Sequence, residues 1–206
     1  PRLLDVSRDR SFLATDEYAL AKARQENFVR NSGRRNWTIV RPYITYAPER
    51  LQLGVLEKEG WLYRALQGRA IVLPREVSQR MTTLTSGRDV AAAICALVGR
   101  PGAMGETFHV TAPRAHQWDT VLSVYLQVLE DHLGRPPRIV PVGTAEFLRC
   151  HDSPYQLLYD RCYDRQFDNR KIAAWVDLTK FQDAEVGVRA CVEAFLKAPV
   201  FRGINW

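Results

Sequence analysis

Short apolar runs alternate with longer segments that carry an apolar face, and this alternation organises the chain. The stretch from Asp16 to about Asn31 is built from Ala, Leu, Lys, Arg, Gln and Glu, the strongest helix formers, and predicts a helix. Thr15 or Asp16 is expected to cap it, and Ser32-Gly33 to stop it. A β-prone run, Trp37-Thr38-Ile39-Val40, follows and ends at Arg41-Pro42. A polar, proline-punctuated loop from Tyr43 to Arg50 leads to a predicted helix through Val55-Leu56 and Trp61 to Leu66, closed at Gly68. Ala70 to Leu73 predicts a strand ended by Pro74. Thr82 to Thr85 is β-prone, Ser86 or Asp89 begins an apolar helix from Val90 to Val98, and Thr107 to Val110 is a further strand. Strand and helix in alternation predict parallel strands with crossover helices, an α/β sheet.

After Pro113 the character changes. Trp118 to Leu133 predicts an amphipathic helix stopped by Gly134, and Arg138 to Val142 a short strand. The segment beyond is rich in Tyr, Asp and Arg, with Tyr155, Tyr159, Asp160, Arg161, Tyr163, Asp164 and Arg165 close together. A last helix is predicted over roughly 184–196. The expected organisation is a sheet core over 1–115, with 49–80 contributing to a second lobe, and a mostly helical lobe over 116–206. There is no internal repeat and no low-complexity segment.

Composition narrows the class without naming it. Hydrophobic residues make up 46% and charged residues 25% of the 206, as in ordinary soluble globular proteins. No apolar run approaches the ~20 residues of a membrane span, and no apolar segment follows Pro1 to Asp5 as a signal peptide requires. The chain has no initiator Met, and the expectation is that a longer protein precedes it. Net charge is +6, with Arg far outnumbering Lys, which suits an anionic substrate and equally a solvated surface shaped by codon bias. The arginines are spread along the chain with no dense basic run, which argues against nucleic acid as a partner. Cys95, Cys150, Cys162 and Cys191 form no C-x-x-C pair and have no histidine at metal-ligand spacing, so no metal is expected and a reduced, cytoplasmic protein is. Cys95 and Cys191 fall in apolar helical patterns and are expected in the core, as are Trp118 and Trp175.

Two features bear on chemistry. Tyr18 and Lys22 are four apart on a predicted helix and share a face. A neighbouring ammonium favours phenolate and brings a tyrosine toward use as a base. The same spacing is also common among surface pairs that do no chemistry. Gly99-Arg100-Pro101-Gly102-Ala103-Met104-Gly105 has the spacing of a dinucleotide loop, but it follows a helix and precedes a strand. A phosphate loop must follow a strand and open a helix, so this is expected to be a turn.

Taken in order, these pieces resemble the second half of an extended short-chain dehydrogenase/reductase of the nucleotide-sugar epimerase/dehydratase type. Tyr18-Ala19-Leu20-Ala21-Lys22 is similar to that family's Y-x-x-x-K, with Glu26 where the family usually has an acid. Thr38 to Pro48 resembles its strand followed by R-P-x-N-x-Y-G-P. Arg80 through Asp89-Val90-Ala91 resembles an arginine ahead of V-x-D-V-A, and Phe167 to Ile172 the late D-x-x-K segment. Ile44 stands in place of the usual Asn and Ala47 in place of the usual Gly.

The resemblance implies the C-terminal part of a Rossmann-type parallel sheet with a smaller, mostly helical substrate lobe. It implies an NAD- or NADP-dependent epimerase, dehydratase or reductase acting on a nucleotide-linked sugar. Tyr18 is then the acid or base, and Lys22 its pKa partner and a contact to the nicotinamide ribose. Pro42, Tyr43, Ile44 and Thr45 line the cofactor, and Arg80 and Arg161 contact the substrate. Ser7 and Ser11 are candidates for the family's catalytic hydroxyl only by proximity. A homodimer through the tyrosine helix is also implied. The glycine-rich phosphate loop is expected in a preceding segment, and the fragment alone is expected to be inactive. The alternative is a degenerate relative without catalysis that serves as a binding module.

Overall fold

The computed structural model describes residues 8–152 and 154–203, so Ser7 lies outside the described residues. Strands run in chain order as β1 Thr38–Arg41, β2 Ile44–Tyr46, β3 Ile71–Pro74, β4 Met81–Thr82, β5 Leu84–Ser86, β6 Glu106–His109, β7 His116–Gln117 and β8 Ile139–Val142. The longer helices are α1 Tyr18–Arg30, α2 Lys58–Leu66, α3 Gly87–Leu97, α4 Trp118–Leu133 and α5 Ala184–Lys197. Three parallel pairs form, β1 with β6, β2 with β5 and β3 with β8, together with one antiparallel pair, β4 with β7. The α/β reading of the sequence holds.

One extended run carries β1 and β2, and it changes partner between them. Pro42 has no N–H to give a ladder, and there the chain leaves β6 for β5. A cross-link holds the two ladders together, since the backbone N–H of Ala112, just past β6, donates to Thr85 Oγ1 in β5 at 2.8 Å.

Two apolar clusters follow from the helix patterns. In α4, Trp118, Val121, Val124, Tyr125, Val128 and Leu129 are buried, a stripe at helical spacing. They pack with Trp61 and Leu62 of α2, Ile71 of β3 and Val188 and Val192 of α5. Trp61 Nε1 donates to the Leu51 carbonyl at 3.1 Å, which satisfies the indole inside this core. The second cluster joins Val90, Ala93 and Leu97 of α3 to Phe108 of β6 and Ile172, with Trp175 packed against it. Each fully buried Leu or Phe contributes roughly 1.5–3 kcal/mol.

Several expectations are corrected. The helix expected from Val55 begins only at Lys58, because Leu53 and Leu56 exchange two backbone hydrogen bonds around Gly54, whose φ is +59°. The β-prone run Thr82–Thr85 divides into two strands at Thr83, whose hydroxyl donates to the Arg165 carbonyl at 2.7 Å. Cys95 is exposed, because it lies off the Val90–Ala93–Leu97 stripe. The Gly99–Gly105 segment is the expected helix-to-strand turn between α3 and β6. Among the described residues no helix is long and apolar enough to cross a membrane.

Candidate active site

The start of α1 is held from several sides. Glu17, rather than Thr15 or Asp16, caps it, with Oε2 accepting from the Ala19 N–H at 2.6 Å. Thr15 serves the preceding turn instead, and Asp16 reaches forward to a side chain of α1. Thr15 Oγ1 donates to the Phe12 carbonyl at 2.7 Å, and Asp16 pairs with Arg24 at 2.9 Å. The same guanidinium donates to the carbonyls of Leu13 and Thr15 at 3.0 and 3.1 Å. Tyr18 is therefore the first residue of a helix whose approach is fixed by its own Arg24.

Tyr18 is 73% exposed, and its hydroxyl makes no hydrogen bond among the described residues. The ammonium of Lys22 sits over its ring, 5.5 Å from the centroid, and donates to Gln25 Oε1 at 3.1 Å. The two side chains are together as the spacing predicts, and the phenol oxygen is left open to a ligand.

Register then fixes which way this open end points. Arg30 Nη2, near the C-terminal end of α1, donates to Thr107 Oγ1 at 2.6 Å, and Thr107 lies opposite Ile39. One turn back, Glu26 takes a forked contact from Arg41, with Nε 2.7 Å from Oε1 and Nη2 on Oε2. Arg41 is the last residue of β1 and lies opposite His109. Moving toward Tyr18 along α1 is thus moving toward the carboxyl ends of β1 and β6. Eight residues of helix, about 12 Å, separate Tyr18 from Glu26, so Tyr18 projects beyond those ends. Crevices outside the carboxyl ends of parallel strands are where open α/β sheets bind ligands.

The Pro42–Thr45 segment leaves β1 at the same end. Pro42 is exposed, Ile44 is buried in β2, and Thr45 Oγ1 accepts from Arg50 at 3.3 Å. Tyr43 is drawn into a polar network. Its hydroxyl donates to Asp160 Oδ2 at 2.9 Å and accepts from Arg161 Nη1 at 2.9 Å. Arg161 is 4% exposed, and it also donates from Nε to the Gly54 carbonyl at 2.9 Å and from Nη2 to Gln52 Oε1 at 3.4 Å. Asp160 pairs with both Arg161 and Arg165. Burial pushes the Tyr43 phenol above its ordinary range and draws the Arg161 guanidinium below its own, each opposed by the attraction between the two. The guanidinium of Arg161 is committed to protein partners on all three nitrogens.

Arg80 lies exposed just ahead of β4, its carbonyl accepting from the Trp118 N–H at 3.1 Å. The next residue, Met81, accepts from the Arg165 N–H at 2.8 Å, which places Arg80 beside the Asp160–Arg165 segment. Ser11 is exposed in a short helical turn, Arg10–Leu13. The same turn buries Phe12 against Tyr155 and Tyr159, and Asp9 accepts from the Tyr159 hydroxyl at 2.7 Å. Two partners on this side were not legible in the sequence. Asp160 was one acid in a Tyr/Asp/Arg-rich run, and Phe167 entered only as the first residue of the D-x-x-K-like segment, yet its ring lies 5.0 Å from Tyr43 and 5.3 Å from His109. Burial, and then the charge of Arg41, lower the affinity of His109 for a proton.

This fold is shared with epimerases of known structure. In particular, the chain is similar to an epimerase from Methanothermobacter thermautotrophicus, with 14% identity and a TM-score of 0.61 over 87% of this chain and 48% of that one. It is similar to PbgP3 from Burkholderia pseudomallei, with 14% identity and a TM-score of 0.64 over 88% of this chain and 53% of that one. It is also similar to a UDP-glucuronic acid 4-epimerase from Bacillus cereus, solved with UDP-glucuronic acid and NAD, at 12% identity and a TM-score of 0.60 over 87% and 51%. The chain spans about half the length of these structures. No protein-family model and no curated protein matches it.

Proposed function

We propose that the chain is the substrate-side portion of an NAD(P)-dependent epimerase, dehydratase or reductase acting on a nucleotide-linked sugar. The observation that carries this is the register of α1 against β1. The Glu26–Arg41 fork and the Arg30–Thr107 bond aim Tyr18, with its hydroxyl open, past the carboxyl ends of the strands. In that position Tyr18 Oη takes a proton from a sugar hydroxyl as the carbon bearing it is oxidised, and returns it on reduction. Lys22, whose ammonium lies 5.5 Å from the centroid of the Tyr18 ring, is assigned to the nicotinamide ribose.

The residues present fit the ribose and nicotinamide side of a cofactor, since a phenol and an ammonium stand exposed on one face of a helix that runs toward the strand end from which Pro42 to Thr45 leave. The chemistry supplied by a bound nicotinamide is the acceptance and return of hydride. Tyr43 orients the segment that lines this side, because Asp160 and Arg161 fix its hydroxyl. Arg80 is assigned to the paired phosphates of the substrate, where a planar fork matches the oxygens. Arg161, buried and bonded on all three nitrogens, serves this site by holding Tyr43 in place.

The test is the complete protein, assayed for oxidation or epimerisation of UDP-sugars. Tyr18→Phe is expected to keep cofactor bound and to lower turnover by about two to four orders of magnitude. Unchanged turnover in that variant sinks the assignment.

A further inference from the structure

A second group of chemistry-bearing side chains stands away from Tyr18, where β7 meets the start of α5. His116, in β7, is 4% exposed and faces carboxylates on both ring nitrogens. Nδ1 lies 3.0 Å from Glu185 Oε1, and Nε2 lies 3.9 Å from Asp183 Oδ2. Nε2 is buried and has no hydrogen-bond partner. A buried imidazole nitrogen without a partner is costly, and few native groups of this kind go unexplained. One nitrogen of His116 and one oxygen from each carboxylate lie within 4.8 Å of one another.

We infer that His116, Asp183 and Glu185 form a binding site for a divalent transition-metal cation of the zinc type. Imidazole nitrogen with two carboxylate oxygens is a donor set such ions accept, at bond lengths near 2.0–2.2 Å. An ion takes one ring nitrogen: at Nε2, the partnerless atom, it meets Asp183 Oδ2, and the Glu185 carboxylate turns from Nδ1 to join it. Asp183 keeps its structural duty in this arrangement, because Oδ1 caps α5 by accepting from the Glu185 N–H at 2.9 Å while Oδ2 faces the histidine. Without a metal, Arg114 supplies the positive charge. Its guanidinium stands 3.5 Å from Asp183 and 3.8 Å from Glu185, and is 69% exposed. Both contacts are long and the side chain is free to swing out, so an entering cation displaces it. The ion fastens the β4–β7 pair to α5, far along the chain from either strand, and its role is structural.

The test is Co²⁺ titration of the untagged chain after chelator treatment, read by visible absorption and by thermal melting. The expected result is one equivalent bound, ligand-field bands of a nitrogen–oxygen site without thiolate charge transfer, and a raised melting temperature. His116→Asn, and independently Glu185→Gln at a half-exposed position, are expected to weaken binding at least about 10-fold. Asp183→Asn keeps the cap and is expected to do the same, so a folding failure in the histidine variant does not block the test. Arg114→Ala is expected to tighten binding. No binding, a thiolate charge-transfer band, or affinity unchanged in Glu185→Gln or in Arg114→Ala overturns the inference.

Discussion

Glu26 and Arg41 form a forked ion pair that locks the middle of the tyrosine helix to the last residue of β1. Glu26 keeps only 17% of its side chain exposed, so this pair is shielded from water on the carboxylate side. The contact sets how far Tyr18 projects past the strand ends, and so it connects packing to chemistry. Glu26→Gln is expected to cost about 1.5 kcal/mol in chemical denaturation at neutral pH, the scale of a charged hydrogen bond. Under the proposed function, the same change in the complete protein is expected to lower turnover by misplacing Tyr18, with cofactor affinity less affected.

The pH dependence of this pair has a definite sign. The Arg41 hydrogen bond holds the Glu26 carboxyl below its ordinary range. A depressed carboxylate stabilises the fold above its unfolded pKa and loses that contribution as pH falls through the folded value. The stability gap between wild type and Glu26→Gln is therefore expected to be full at neutral pH and to close below about pH 4. Denaturation curves across that range check it, and a gap constant with pH refutes it.

His109 supplies a second titration. Burial, and then Arg41, hold its pKa below the ordinary histidine value. An NMR titration is expected to place its midpoint below about 6.5, and Arg41→Met to raise it. An unmoved midpoint in the variant means that Arg41 does not act on His109.

Tyr43 and Arg161 are expected to behave as one unit. Arg161→Met strips a buried charge from Asp160 and Tyr43 and is expected to cost about 3 kcal/mol or more. Tyr43→Phe, which removes one hydroxyl, is expected to cost about 1 kcal/mol. A double-mutant cycle reads the coupling, and additive costs mean that the 2.9 Å contact carries no energy.

Gly187 is required by packing. A Cβ built there lies 2.0 Å from Tyr46 Oη and 2.6 Å from its Cζ, inside α5 where the backbone cannot retreat. Gly187→Ala is expected to destabilise by about 1–3 kcal/mol in spite of its better helix propensity. The Tyr46 hydroxyl itself is buried without a partner, so Tyr46→Phe alone is expected to be neutral or stabilising. Thermal melts of both variants decide the matter.

The sequence by itself determined the α/β class, the helix that begins near Tyr18, the Arg41-Pro42 strand end and the status of Gly99–Gly105 as a turn. Each of these depends on local propensity or periodicity, which neighbouring residues settle among themselves. The approach of Tyr18 and Lys22 was legible for the same reason, because four residues of helix bring side chains together whatever lies outside. Only the tertiary structure decided the rest. Glu17 became the cap because Arg24 reached back to claim Asp16 and the carbonyls before it. Asp160 found Tyr43, and His116 found Asp183 and Glu185, across separations that no local pattern encodes. Buried polar groups take whatever partner the packed chain brings within about 3 Å, and which partner arrives is fixed by the register of distant strands and helices.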